Sequence, residues 1–367
     1  MITILTKNQC FPIIANTKIC KISGVADTIL LERILRTSGA NNEYFDRYSV
    51  AQHDLYEGNE YYIRLIGCGI DDGISVNSIL NRIANAEHTL KQIAFIKQGI
   101  VSGADKYTDA LEADFKLGFP KGMGIFVLRK DELEALHIPE KEFQYVKHVY
   151  KNSQISKYHI EYGNDLYVFY ITKGVTETDA PTIIHYLEQF KPILASKRET
   201  ITGKLPWYCL HWPREKDIFE SAGKIVNSRR AKGNVFALET QQYFEQSDIM
   251  ITVIKPEYQD MFPAKYVLAL LNSKLFNIWL KNKGKLKGDL FELYGTPLEE
   301  IPIIKSSVYD RDRIVKLVDA IIDIKNCNNN VDTKAQENEI DQILYASLNL
   351  SSDEVKFIES DYKSHGL

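Results

Sequence analysis

The sequence predicts an α+β fold: a mixed, largely antiparallel sheet with packed helices, followed by a helical C-terminal region. Three observations carry this prediction. Between residues 206 and 254, four strand-like segments follow one another with only turn-like pieces between them, which is the pattern of antiparallel pairing. Long apolar-periodic stretches at 179–199 and 264–281 flank that series. Residues 306–367 read almost entirely as helix.

In chain order, "FPIIANTKICKI" alternates like a strand and "ADTILLERIL" is helix-like. Residues 56–70, "YEGNEYYIRLIGCGI", read as one extended segment. In "SVNSILNRIANAEHTLKQI", Ile79, Ile83 and Leu90 stand at near-helical spacing, which predicts a helix over 75–93. "FIKQGIVSGADKYTDA" starts like a strand and runs into Gly99 and Gly103. "GMGIFVLRKDELEALHI" predicts a strand and then a short helix, and "DLYVFYITK" alternates as a strand. "DAPTIIHYLEQFKPILASKRE" predicts a helix capped by Asp179, with Pro181 near its first turn. Its apolar face is Ile183, Leu187, Phe190 and Leu194.

The four serial strands are "PWYCLHW", "KIVNSRR", "NVFALET" and "DIMITVI". Trp207 and Trp212 are expected in the core, since alternation along the first must point one set of side chains inward; the other reading of Trp207, Tyr208 and Trp212 is packing against DNA sugars or bases. The helix over 264–281 has Val267, Leu271, Leu275 and Ile278 on one side, a face too wide to lie wet in a groove, so it reads as scaffold. "PLEEIPI" is an extended exit. "DRDRIVKLVDAIIDIKN" and "AQENEIDQILYASLNL" are helices, and "SSDEVKFIES" opens with a capping box, Ser351 to Glu354.

Composition bounds the function. Hydrophobic residues make up 44% and charged residues 26% of the 367, as in a soluble globular protein. No run is long and apolar enough for a membrane helix, and the N-terminus reads as folded sequence rather than a signal peptide. The five cysteines are scattered, odd in number and without a C-x-x-C, so a reducing cytoplasm is expected. The eight histidines show no metal-ligating spacing.

The net charge of −4 hides a partition. Residues 191–232 hold ten Lys/Arg against four Asp/Glu, and residues 264–288 hold six Lys and no acid. The stretch from 331 holds eight acids against three lysines. Two basic islands in an acidic chain suggest a localised anion-binding face, with a set of solvated lysines as the plain alternative.

Catalytic motifs are missing. "GCGIDDG" and "GMG" are the sole Gly-x-Gly elements, and neither is a full nucleotide loop. No P-loop, G-x-S-x-G, kinase set, Asn-Pro-Pro-Tyr, Asp-Pro-Pro-Tyr or nuclease-like Pro-Asp followed by Glu-x-Lys occurs. Catalysis by this chain alone is not expected.

Several segments, in order, resemble the target recognition domain of TaqI-like adenine-N6 DNA methyltransferases, which also closes the fused type IIG restriction–modification enzymes. They are "IKQGIVSGADK", "YLEQFKPILASKRE", "WYCLHWPR", "KIVNSRR", "YVLALLNSKLFNIWLKNKGKLKG", "PLEEIPI" and "EIDQILYASLNLSSDEVKFIE". The resemblance implies a sequence-specific reader of double-stranded DNA. It also implies that S-adenosylmethionine is held by a methyltransferase domain or subunit, with no cofactor in this chain. On this reading residues 1–55 are a remnant of, or adapter to, a methyltransferase domain, 56–305 the recognition domain, and 306–367 helices for spacing or homodimerisation. Two alternatives stand: a methyltransferase remnant that itself binds S-adenosylmethionine, and an interaction protein that binds no DNA.

A duplex binder needs several Lys/Arg on one face for phosphates, and forks or amides for bases. "DK" and "SKRETITGK" offer Lys106, Lys197, Arg198 and Lys204. "KIVNSRRAK" offers Lys224, Asn227, Arg229, Arg230 and Lys232. "KNKGKLKG" offers Lys281, Lys283, Lys285 and Lys287 on what reads as a flexible loop. Gln98 and Arg214 join Arg198, Asn227, Arg229 and Arg230 as base readers. "QGIVSGAD" is a turn for a phosphate or a turn with no ligand, and both readings stay open.

Overall fold

The computed structural model describes residues 16–22, 27–36, 45–51, 56–57, 62–63, 76–163 and 165–364. Two expected features therefore lie outside the described residues: the strand pattern over 11–15 and "GCGIDDG". So does most of the extended segment over 56–70. The chain divides into two compact units, residues 1–78 and 79–367.

In the first unit, β1 (Asn16–Ile22) pairs antiparallel with β2 (Phe45–Ala51), Ile19 facing Tyr48. The helix α1 (Thr28–Arg36) lies between them in sequence.

The second unit is α+β with mostly antiparallel sheets, as the sequence predicts. Its two four-stranded sheets draw first on β3 (Ala94–Gln98), β4 (Val127–Arg129), β5 (Val146–Tyr150) and β6 (Leu166–Phe169). The helices α2 (Pro181–Glu188) and α3 (Lys191–Ala195) come next. Then follow β7 (Lys224–Ser228), β8 (Arg230–Ala231), β9 (Ala237–Glu239), β10 (Phe244–Glu245) and β11 (Ile249–Ile254). The helices α4 (Ala264–Asn272) and α5 (Lys274–Lys283) lead into a hairpin of β12 (Leu286–Lys287) and β13 (Leu290–Glu292). Three helices close the chain: α6 (Val308–Cys327), α7 (Lys334–Ser347) and α8 (Ser352–Ser364).

One four-stranded sheet has the order β10-β5-β6-β4, and its β10–β5 pair is parallel, so the architecture is mixed. Val149, Val168 and Phe169 from that sheet share a core with Ile183, Leu187, Phe190 and Leu194 of the helical layer. A second sheet, β9-β7-β11-β3, is antiparallel throughout. Each fully buried Leu, Ile or Phe contributes about 1.5–3 kcal/mol through lost water contact.

Several elements differ from expectation for identifiable reasons. The helix over 75–93 is interrupted: Val76–Ala84 is helical, His88–Thr89 pairs with Pro302–Ile303, and Leu90–Ile93 forms one turn. The helix over 179–199 is three pieces: Pro192, which has no N–H, ends the ladder between α2 and α3, and Lys197 is extended before a last turn over Arg198–Ile201. Asp179 does not cap α2, since its carboxylate accepts from Thr176 N at 2.8 Å. The cap comes from a distant buried carboxylate, Glu142, which accepts from Thr182 N at 3.0 Å and Ile183 N at 3.1 Å, at the positive end of the helix. "PWYCLHW" forms no strand; it bridges Val101 through Trp212, and Cys209 and Leu210 pack into the same core as Val149 and Val168. "PLEEIPI" is a helical turn over Thr296–Glu299 before its short strand.

The helix over 264–281 breaks at Ser273, whose backbone is extended and whose hydroxyl accepts from Phe276 N to start α5. Buried asparagines weld this break to the sheet. Asn272 exchanges two hydrogen bonds of 2.9 Å with the Phe236 backbone. Asn234 donates to Leu271 O at 2.7 Å and Ser273 O at 2.8 Å, and Asn277 donates to Asn234 at 2.9 Å. The expected scaffold role follows: Leu268 through Leu271 are all fully buried. Helix α6 packs on α4, and α8 packs on α5. The Ser351–Glu354 capping box forms, with Ser351 N donating to Glu354 at 2.8 Å and Glu354 N to the Ser351 hydroxyl at 3.2 Å. Among the described residues no helix is long and apolar enough to cross a membrane.

Candidate functional site

One end of the second sheet gathers the arginines of separate segments. There Met250 of β11 lies between Gln98 of β3 and Asn227 of β7. The segment Glu245–Asp248 crosses this end and is the hub. Gly99 N donates to Ile249 O at 3.0 Å, and Ile100 N to Glu245 O at 2.7 Å. A Cβ on Gly99 would stand 2.2 Å from Gln246 O, so only glycine admits this approach. Gln98 Nε2 donates to Ser247 O at 2.6 Å, and Arg229 N donates to Asp248 O at 2.9 Å.

Arg214 is tied into the same end. Its Nη2 donates to Gln98 Oε1 at 3.0 Å and its Nε to Gly99 O at 3.4 Å. Its backbone has φ +63°, uncommon for a residue other than glycine. Tyr170 holds it there by donating to Arg214 O at 2.9 Å. The guanidinium lies 5.5 Å from the Trp212 ring. Trp212 is half exposed, which corrects its expected burial: without a strand, no alternation points it inward.

The second and third basic clusters meet in a three-stranded sheet, β8-β13-β12. Arg230 of β8 is registered with Glu292 of β13. Arg229 and Arg230 flank the Tyr294 ring at 4.4 and 6.0 Å. Glu292 is shared by Lys285 at 2.8 Å, Arg230 at 3.2 Å and the Tyr294 hydroxyl at 3.0 Å. The Lys285 ammonium first, then Tyr294 and Arg230, hold the Glu292 carboxyl down to about 2, against desolvation. Glu292 is thus an ionised brace that spaces the cations. "KNKGKLKG" is therefore a helix end and a hairpin rather than a flexible loop. Gly284 ends α5, and Gly288, at φ +61°, makes the hairpin turn.

Not every expected contact residue faces this surface. Lys224 is fully buried between Glu239 at 3.1 Å and Glu245 at 3.0 Å, and it donates to Phe219 O and Tyr243 O. Asn227 is also fully buried, and its amide donates to Leu293 O at 3.0 Å. Both are corrected to structural roles, because β7 is a central strand covered on both faces, so alternate side chains pointing either way are buried. Lys281 pairs with Asp361 of α8 at 2.7 Å, and Lys283 lies partly buried in the last turn of α5. Lys106, Arg198, Lys204, Lys232 and Lys287 are exposed. Lys197 is partly buried, with its ammonium 5.3 Å from the Phe126 ring. Among the described residues no group of His, Cys, Asp and Glu is arranged to hold a metal ion.

Tyr294 and Glu292 were not recognisable as site residues, since "FELYG" belongs to no basic motif. Their signal is the alternation of "LFELY" directly after a glycine turn, which predicts a returning strand beside the lysines.

The family model described as TaqI-like C-terminal specificity domain matches residues 147–303, which bears out the resemblance drawn from the motifs. The match includes Arg198, Arg214, Arg229, Arg230 and Lys285, while Gln98 and Lys106 precede it. The chain is also similar to the solved structure of the type IIG restriction endonuclease BpuSI, with 11% identity and a TM-score of 0.42. That similarity covers 91% of this chain and 40% of the other, so the chain spans well under half the length of that enzyme. No curated protein matches the chain.

Proposed function

We propose, from the premise that residues 147–303 match a TaqI-like specificity domain, that this chain is the sequence-reading module of a restriction–modification system. It binds double-stranded DNA and directs an adenine-N6 methyltransferase domain or subunit, which holds S-adenosylmethionine, to its site. The observation that carries the reading is the convergence of Gln98, Arg214, the Arg229–Arg230 pair and Lys285 from four separate segments around one sheet end. Segregated cations suit a phosphate row, and the part-fixed arginine forks suit base edges.

The test is binding of the chain to a randomised duplex library at low salt, with sequencing of the retained DNA. Enrichment of a short motif, lost when Arg214 and Arg229 are both replaced by alanine, is the expected result. Failure to retain any duplex at low salt would overturn the reading.

A further inference from the structure

The Asp105 carboxylate acts on Lys197 through charge alone, being hydrogen-bonded to the Ser102 hydroxyl and to Gln246 Nε2. Among the described residues Lys197 forms no ion pair, and its closest polar contact is a long one, Ser102 O at 3.4 Å. Its stem crosses Gly103, where an added Cβ would fall 2.5 Å from Nζ, and its ammonium lies over Phe126. A desolvated ammonium is costly unless an anion accompanies it.

The turn beside it is polarised. Its carbonyls are used inward: Ser102 O accepts from His211 N, Ala104 O from Phe126 N, and Asp105 O from Ile125 N and Val127 N. Its side-chain acceptor is also occupied, because Asp105 accepts from the Ser102 hydroxyl and from Gln246 Nε2. By contrast, among the described residues no acceptor meets the backbone N–H groups of Ser102 through Lys106. Gly103, at φ +88°, reverses the chain in the middle of this run. Successive unpaired N–H groups around such a reversal, with a cation alongside, form an anion-binding concavity.

We propose that Lys197 and the Ser102–Lys106 turn bind a phosphate group, a backbone phosphate of the duplex. The proposal rests on the DNA-binding reading for the source of the phosphate, but not for the site. Burial lowers the Lys197 ammonium to about 8, against the opposing pull of the Asp105 charge, so a phosphate that arrives there also fixes the proton.

The experiment compares wild type with Lys197→Met, which keeps the apolar stem and removes the charge, and with Lys197→Gln as a second neutral variant. Two probes are used: mixed-sequence duplex in anisotropy titrations across a salt series, and inorganic phosphate in thermal melts against matched chloride. The expected DNA result is a loss of roughly fivefold that is equal on every sequence, with the log–log salt slope reduced by about 0.9. In melts, phosphate stabilises wild type and neither variant. The DNA deficit of the variants shrinks from pH 7 to pH 9, as wild-type Lys197 loses its own charge. Unchanged salt slope and unchanged phosphate stabilisation in both variants would overturn the site. Phosphate stabilisation through Lys197 in a chain that binds no duplex would uphold the site and remove the DNA reading.

Discussion

The Arg229 guanidinium lies 4.4 Å over the Tyr294 ring, and this contact joins two basic segments that are far apart in sequence. Arg230 flanks the same ring, so one aromatic side chain sets the spacing of two cations. Tyr294→Ala is expected to weaken duplex binding about five- to tenfold by releasing both forks, since a cation–π contact contributes about 0.5–2 kcal/mol. Tyr294→Phe keeps the ring and gives up the hydroxyl's contacts with Glu292 and Arg230. Anisotropy titration of the two variants separates these cases, and equal loss in both would show that the ring is not what matters.

Gly99 is the point where the hub meets β3. A methyl group there would overlap Gln246 O at 2.2 Å, against backbone that cannot swing aside. Gly99→Ala is expected to cost about 1–3 kcal/mol in urea melts, the usual range for forced overpacking. It should also disturb Gln98 and Arg214 together. A variant with wild-type stability would mean that the two segments do not approach so closely.

How much of this was legible in the sequence depends on the range of the forces involved. The short strand "DIMITVI" and the Ser351 capping box are local, and both form as read. The basic clusters were legible as composition, but their meeting was not, because Arg230 and Glu292 pair across some sixty residues of intervening chain. Lys224 looked like its neighbours Arg229 and Arg230, yet its place in the register points it inward. Glu142 caps α2 from another element, which no local window reveals.

The Lys224 cluster gives a pH-dependent prediction. One ammonium is buried with two carboxylates, and burial is the largest effect on Glu245, pushing it up to about 7. Between its unfolded value near 4.5 and about 7, the folded state binds the extra proton. The Glu245 contribution is therefore full below pH 4.5 and is lost as pH rises through 7. Glu245→Gln should flatten that part of the stability profile and raise the melting temperature at pH 8. Lys224→Met leaves two buried carboxylates without a cation, and it should cost about 3–5 kcal/mol. Chemical denaturation from pH 5 to pH 8 checks both, and a profile identical to wild type for Glu245→Gln would contradict the assignment.

The lysines around Gly284 and Gly288 divide into two kinds, and charge reversal distinguishes them. Lys281 is partly buried and its ammonium meets both carboxylate oxygens of Asp361, at 2.8 and 2.7 Å. Lys287 is exposed on the hairpin. Lys281→Glu places a carboxylate against Asp361 on an acidic helix, so its cost falls on folding, about 1 kcal/mol or more through like-charge repulsion. Adding Asp361→Lys to that variant should restore most of the stability, because the pair is re-formed with opposite sense. Lys287→Glu should leave the melting temperature within a degree or so of wild type and weaken binding to every duplex alike, with a shallower salt slope. Melting curves and salt-series titrations on the same three proteins decide the matter. If Lys281→Glu loses DNA affinity with no loss of stability, the Asp361 pair is not what holds α8 against α5, and the lysine belongs to the binding face.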